Sequence, residues 1–223
     1  MFRRFLAARL LITALVIPIL VGGGCEADPP PAQPKLSPLD ADRRGDIHLK
    51  AGRFDLAIAD FDVYIAANPS VEPQHWRRGI AYYYAGRYQD GIRQFESHRT
   101  VNSDDVENAV WHFLCKAKLD GVVAAKKALL PVGPDGRIPM MTVYEMFAGR
   151  ATPADVAREA KSASGTRQSA SALFYCHLYL GLYYEATGAP AKALHHLELS
   201  AKTHTSLSYM GDLARMHVEM LAK

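Results

Sequence analysis

The chain has 223 residues and a formal charge of +3, and the excess is local: Arg3, Arg4 and Arg9 lie in the first 25 residues, which hold no acid. Beyond them 23 basic residues face 23 acidic ones. That neutral balance argues against a nucleic-acid-binding surface. The 198 residues after position 25 suit a single domain.

The basic start, the twelve-residue apolar run Leu10–Val21 and the small residues Gly22-Gly23-Gly24 before Cys25 read as an export signal over 1–25. The apolar run is shorter than the ~20 residues a membrane span requires. Gly22-Gly23-Gly24-Cys25 resembles the lipobox of bacterial lipoproteins, with Gly22 where that motif usually has Leu. The resemblance implies that Cys25 is acylated, as by palmitate, and anchors the mature chain in an envelope membrane facing the periplasm, the outer membrane being the expected one. The alternative is an ordinary secretory signal cleaved nearby. Residues 26–36 include Pro29-Pro30-Pro31 and Pro34, an extended linker that would hold the folded part away from the anchor.

Ser37-Pro38-Leu39-Asp40 predicts the first helix start. Ser accepts from first-turn N–H groups, Pro suits a position that needs no donor, and Asp faces the positive helix end. This helix runs to Ala51 and turns at Gly52-Arg53. A second runs from Phe54 to Ala67, with Ala57, Ile58, Phe61, Tyr64 and Ile65 at helical spacing, and Asn68-Pro69 stops it. Helices are then expected over about Pro73–Ala85 and Tyr88–Val101. Aligning 42–68 with 76–102 gives nine identities in 27 positions, at a period of 34. Among them are Arg44/Arg78, Gly45/Gly79, Gly52/Gly86, Ile58/Ile92 and Phe61/Phe95. This period and pattern resemble the tetratricopeptide repeat (TPR), a helix–turn–helix unit that stacks into a right-handed superhelix.

Asp104-Asp105-Val106-Glu107 reads as a capping box opening a helix to Leu119, within a degenerate third unit. Pro131-Val132-Gly133-Pro134-Asp135-Gly136 is dense in turn formers and breaks the pattern. A short helix is expected over Met140–Ala148, then a new start at Thr152-Pro153-Ala154-Asp155. Leu180-Gly181, Tyr184, Gly188, Ala193 and Leu197 return to register, Gly181 lying three periods after Gly79. The clear repeats are therefore 38–69, 72–103 and 173–204, inside an all-α domain spanning 37–223. A last helix from about Ser206 to Leu221 would cap the stack.

No HExxH, CxxC pair or glycine-rich phosphate loop occurs, so no metal, cofactor or catalytic residue is assigned. His195 and His196 project about 100° apart on a helix and share a ligand face poorly. Cys115 and Cys176 fall in apolar helical patterns, as buried thiols do. Arg44 and Arg78 replace a buried aliphatic of the repeat pattern. Each needs an acid such as Asp60, Asp62, Asp104 or Asp105, or else forms a fork for an anionic peptide end. The repeat register places Trp76, Ile80, Tyr83 and Tyr84 on the inner face, with Arg77 at its edge. These either meet a partner protein or are covered by neighbouring helices.

Arg78-Gly79-Ile80-Ala81-Tyr82-Tyr83-Tyr84-Ala85-Gly86-Arg87, Asn102 with Asp104-Asp105, and Val110-Trp111-His112-Phe113-Leu114 together resemble the NlpI-type lipoproteins of bacterial envelopes. The resemblance continues through Lys116–Asp120, Tyr144–Gly149 and Phe174–Leu199. It implies a lipid-anchored, non-enzymatic adaptor that brings a periplasmic protease together with cell-wall hydrolases. Helices that help such proteins form homodimers are missing before the first repeat, which leaves dimerisation open. Two other expectations stand beside this one. One is an enzyme or small-molecule site in the divergent 140–167 region, since irregular segments often carry function. The other is a structural subunit of an envelope assembly.

Overall fold

The computed structural model describes residues 36–203 and 209–222. The export signal, Cys25, the linker to residue 35, residues 204–208 and Lys223 lie outside the described residues. Within them every regular element is helical. In order these are α1 (Pro38–Lys50), α2 (Phe54–Ala67), a 3-10 turn (Pro69–Gln74), α3 (Trp76–Tyr84), α4 (Tyr88–Arg99), α5 (Val106–Asp120), α6 (Val122–Lys127), α7 (Met140–Ala148), α8 (Pro153–Ser162), α9 (Ser169–Ala186), α10 (Pro190–Thr203) and α11 (Tyr209–Leu221). No described helix is long and apolar enough to cross a membrane.

Helix starts follow local chemistry. Ser37 Oγ accepts from the Asp40 amide at 3.2 Å, with Pro38 at the first helical position. Thr152 and Asp155 form the reciprocal box: each side chain accepts from the other's amide. The Asp104–Glu107 box is corrected. Asp105 is the cap, accepting from the Glu107 amide at 3.1 Å, while the Glu107 side chain turns away toward Tyr179 and Arg137. The second unit also starts later than Pro73. Pro69 and Pro73 lack amide hydrogens, so their segment is a 3-10 turn closed by the His75 amide on the Glu72 carbonyl, and α3 begins at Trp76.

Three turns of the repeats are the same object, and the turn at Gly149 shares their closure. The helix ahead of Gly52, Gly86 and Gly188 ends with that glycine at φ of 71°, 74° and 79°. The next residue's amide reaches back to the carbonyl five positions earlier: Arg53 to His48, Arg87 to Tyr82 and Ala189 to Tyr184, at 2.8–2.9 Å. This left-handed closure satisfies orphan carbonyls at a helix end, and glycine adopts it without strain.

The packing inside each pair repeats as well. A Cβ placed on Gly45 or Gly79 would lie 2.7 Å from the ring of Phe61 or Phe95, and one on Gly181 would lie 2.6 Å from Leu197 Cγ. Each glycine therefore lets the facing helix carry a large apolar residue 16 positions later, right against its backbone. Phe61, Phe95 and Leu197 are at most 1% exposed, and such burial stabilises by about 1.5–3 kcal/mol per side chain.

The last helix does more than close an end. α11 packs on α10 and also reaches the first repeats. Lys50 Nζ is 3.3 Å from Asp212, Trp76 and Tyr209 meet edge-on at 4.9 Å, and Tyr84 Oη is 2.9 Å from His217 Nδ1. An amphipathic period shows that a helix has a buried face, but not which distant surface that face will meet.

Candidate functional site

The expected inner face is largely filled from within. Ile80 is 1% and Tyr83 5% exposed. Tyr83 and Tyr84 pack edge-on against Trp111 of α5, and Tyr84 also stacks on Phe54 and meets His217 of α11. Of the two readings left open for this face, Tyr83 and Tyr84 follow the covered one, because α5 and α11 lie over them. Arg77 is three-quarters buried and holds Asp42 through Nη2 at 2.9 Å to each carboxylate oxygen, with Asp46 at 3.4 Å. His75 Nε2 meets the same Asp42 at 2.8 Å. Burial lowers the pKa of His75 despite Asp42, so the neutral ring donates to the carboxylate. The cluster ties α1 to α3.

Arg44 and Arg78 use one geometry. Each donates from Nε to the side chain 16 positions on: Arg44 to Asp60 Oδ2 and Arg78 to Gln94 Oε1, both at 2.8 Å. Arg44 Nη2 adds Asp60 Oδ1 at 2.6 Å, whereas Arg78 reaches Asp62 at 2.8 Å and Glu72 at 2.9 Å. Asp104 and Asp105 take no part. The expectation that both guanidinium groups are buried holds only for Arg78, with 12% of its side chain exposed against 55% for Arg44. The 3-10 turn and α2 flank Arg78, and Arg44 lacks an equivalent preceding pair among the described residues. Both forks are occupied by groups of the chain itself.

The histidines and cysteines sort by packing. His196 meets His177 of α9 at 3.0 Å between Nδ1 atoms, and the His195 ring lies edge-on to it at 5.3 Å. Burial and the neighbouring imidazoles push the pKa of His196 down to about 4. Cys115 and Cys176 are free and buried, and burial pushes the Cys176 thiol up to about 11, which disfavours the nucleophilic thiolate. His112 Nε2 lies 3.5 Å from Glu96.

Beside the covered aromatics lies a cavity of about 330 Å³. Its walls are Trp76 and Ile80 of α3, Asn108 and Trp111 of α5, Tyr175 of α9, and Tyr209 with Met210 of α11. Its polar floor is Asp105, Glu107 and Arg137. The Pro/Gly break delivers Arg137: Arg99 Nε donates to the Pro131 carbonyl at 2.8 Å, and the Gly133 amide to the Ser103 carbonyl at 3.0 Å. The loop is thereby strapped over the α4–α5 turn. Arg137 then reaches Asp105 at 2.8 Å, Asp135 at 2.6 Å and Glu107. Glu107 also accepts from Tyr179 Oη at 2.5 Å.

The electrostatics around Arg137 are lopsided, with Asp105 and Glu107 of the floor and Asp135 behind it facing one guanidinium. Burial raises the Glu107 pKa, opposed by Arg137. Burial also acts against Asp135, but hydrogen bonds from Arg137 hold its carboxyl below the ordinary value. Arg137 itself is more basic than usual: burial opposes its charge and the surrounding acids outweigh it. Two further atoms stand out. Asn108 donates through Nδ2 to the Phe95 carbonyl at 3.0 Å, yet its Oδ1 is buried without a partner among the described residues, as is Trp111 Nε1. Asn108 and Trp111 are 4% and 2% exposed, and a buried polar atom left unpaired costs about 1–3 kcal/mol.

Of the five partner-facing residues expected from the repeat register, Trp76 and Ile80 line this cavity. No residue of the 140–167 region lines it. Asp105, Glu107, Asn108, Arg137, Tyr175 and Tyr209 were not expected as site residues. A faint signal existed in Glu107-Asn108, a polar pair entering an otherwise apolar helix. Searched against models of known protein families, the chain matches none.

Proposed function

We propose that the chain is a TPR-type adaptor of the bacterial envelope, lipid-anchored through Cys25 and working by holding other proteins or peptides rather than by catalysis. The observation that carries this reading is the seam repeated in Gly45/Phe61, Gly79/Phe95 and Gly181/Leu197, at intervals of one and three 34-residue periods. Units that repeat a close helix–helix approach stack with their neighbours and build extended binding surfaces. The right-handed superhelical stack and the likeness to NlpI-type lipoproteins belong to this proposal, as do cell-wall hydrolases and a periplasmic protease as partners.

The packing of α11 over the first repeats moves the contact surface. Trp76, which lines the cavity and meets Tyr209 of α11, is the residue of that face to test. Crosslinking of the full-length protein in its own envelope, followed by purification, is expected to recover a stoichiometric protein partner. Trp76→Ala is expected to reduce that recovery without changing the helical circular dichroism. Cys25→Ser is expected to abolish incorporation of labelled palmitate. Recovery of the chain alone from crosslinked envelopes would end the adaptor reading.

A further inference from the structure

We propose that the cavity between α3, α5, α9 and α11 binds a primary ammonium group, as a lysine side chain or a peptide N-terminus would present it. The charge balance argues for a cation. Arg137 is shared among Asp105, Glu107 and Asp135, so it has no free fork for an anion, and the floor keeps an excess of carboxylate. The walls agree: Trp76, Trp111, Tyr175 and Tyr209 surround the floor, and aromatic faces attract cations, more strongly once water is displaced. Arg137 already rests over the Tyr175 ring at 5.4 Å.

The independent observation is the pair of orphaned buried atoms. Asn108 Oδ1 is an acceptor that an ammonium hydrogen would satisfy, and Trp111 Nε1 is a donor that a carbonyl oxygen would satisfy. A cavity of about 330 Å³ admits one side chain or a dipeptide end rather than a folded surface. The inference rests on the adaptor reading only for the origin of the amine, because the cavity's own chemistry selects the group.

The chain has two tryptophans, and both line this cavity. Intrinsic tryptophan emission is therefore a local probe. The full-length protein would be titrated with N-acetyl-lysine methylamide in one arm and alanyl-alanine amide in the other. The uncharged controls are N-acetyl-norleucine methylamide and N-acetyl-alanyl-alanine amide. A saturable emission change is expected with one amine, about tenfold or more tighter than with its control, and the responding arm names the source. Asp105→Asn keeps a competent helix cap and is expected to weaken binding about tenfold. Asn108→Ala is expected to do the same by removing the acceptor. Should either variant melt early, the wild-type comparison of amine with control still decides. An emission change that is absent, or equal for amine and control, overturns the proposal. A titration that succeeds while envelope crosslinking finds no partner would sink the adaptor reading and leave this site standing. The reverse result would do the opposite.

Discussion

Inside each helix pair the deciding contacts join residues 16 apart, whereas Arg137 and Tyr179 reach the cavity floor from 30 to 72 residues away and Tyr84 meets His217 of α11 from 133 away. The first kind recurs. Gly45 under Phe61 and Gly79 under Phe95 are one solution used twice, down to the arginine that precedes each glycine. The second kind occurs once each: Tyr179 on Glu107, Arg137 on Asp105, Tyr84 on His217. A recurring contact can be copied with its repeat, so it serves stability. A contact that occurs once marks where this chain departs from its own pattern, and there the molecule keeps a cavity, excess charge and unpaired polar atoms.

The sharpest way to break the comparison is to damage a seam. Phe95→Ala is expected to cost about 3–5 kcal/mol, read from the denaturant midpoint at unchanged slope. Gly79→Val attacks the same contact from the other side and is expected to cost about 1–3 kcal/mol by overpacking. Adding Phe95→Leu to Gly79→Val should recover part of that loss, because the smaller side chain vacates the position the new Cβ requires. A double mutant whose losses simply add would show that the glycine is not there to admit the ring.

A smaller effect separates the two arginines. Arg78→Gln leaves Asp62, Glu72 and Gln94 short of a shared donor in a mostly buried setting, and about 1–3 kcal/mol is expected. Arg44→Gln, with its side chain half in water, should move the denaturant midpoint less. Equal shifts would mean that the second repeat gains nothing from burying its arginine.

The gentlest test uses pH and addresses the α11 contact. Burial opposes the charge on Glu185, but a hydrogen bond and charge from His217, together with Lys118, bring its pKa to about 2. The folded value lies below the ordinary one of 4.5. Its contribution is therefore fully present above about pH 4.5 and is lost as pH falls toward 2. Denaturant midpoints measured from pH 6 down to 2 should fall more steeply for the wild type than for Glu185→Gln. Parallel curves would show that the His217–Glu185 pair does not secure α11.

Much of this architecture was readable before any coordinates. Ser37 and Thr152 capped the helices where their local chemistry placed them, and Gly52, Gly86 and Gly188 made the same left-handed turn. The spacing of Arg44 and Asp60 was readable too, since both lie in one helix pair. Glu107 was misread as the return half of a capping box because that motif is scored from four adjacent residues. A buried tyrosine 72 positions away claimed the carboxylate instead. Tyr83 and Tyr84 stayed undecided between an open and a covered face because the repeat pattern gives a side chain's direction and not what arrives above it.

Sequence alone determined the all-helical architecture, the helix starts at Ser37 and Thr152, the glycine turns and the spacing of the seams, since each depends on groups within about one repeat of one another. Tertiary structure decided that α11 lies over the first repeats, that the Pro/Gly loop carries Arg137 onto Asp105 and Glu107, and that a cavity lined by both tryptophans survives between them. Those outcomes hinge on which distant apolar faces find each other, and hydrophobic burial is non-directional. A face's pattern announces that it will be covered; only the folded chain says by what.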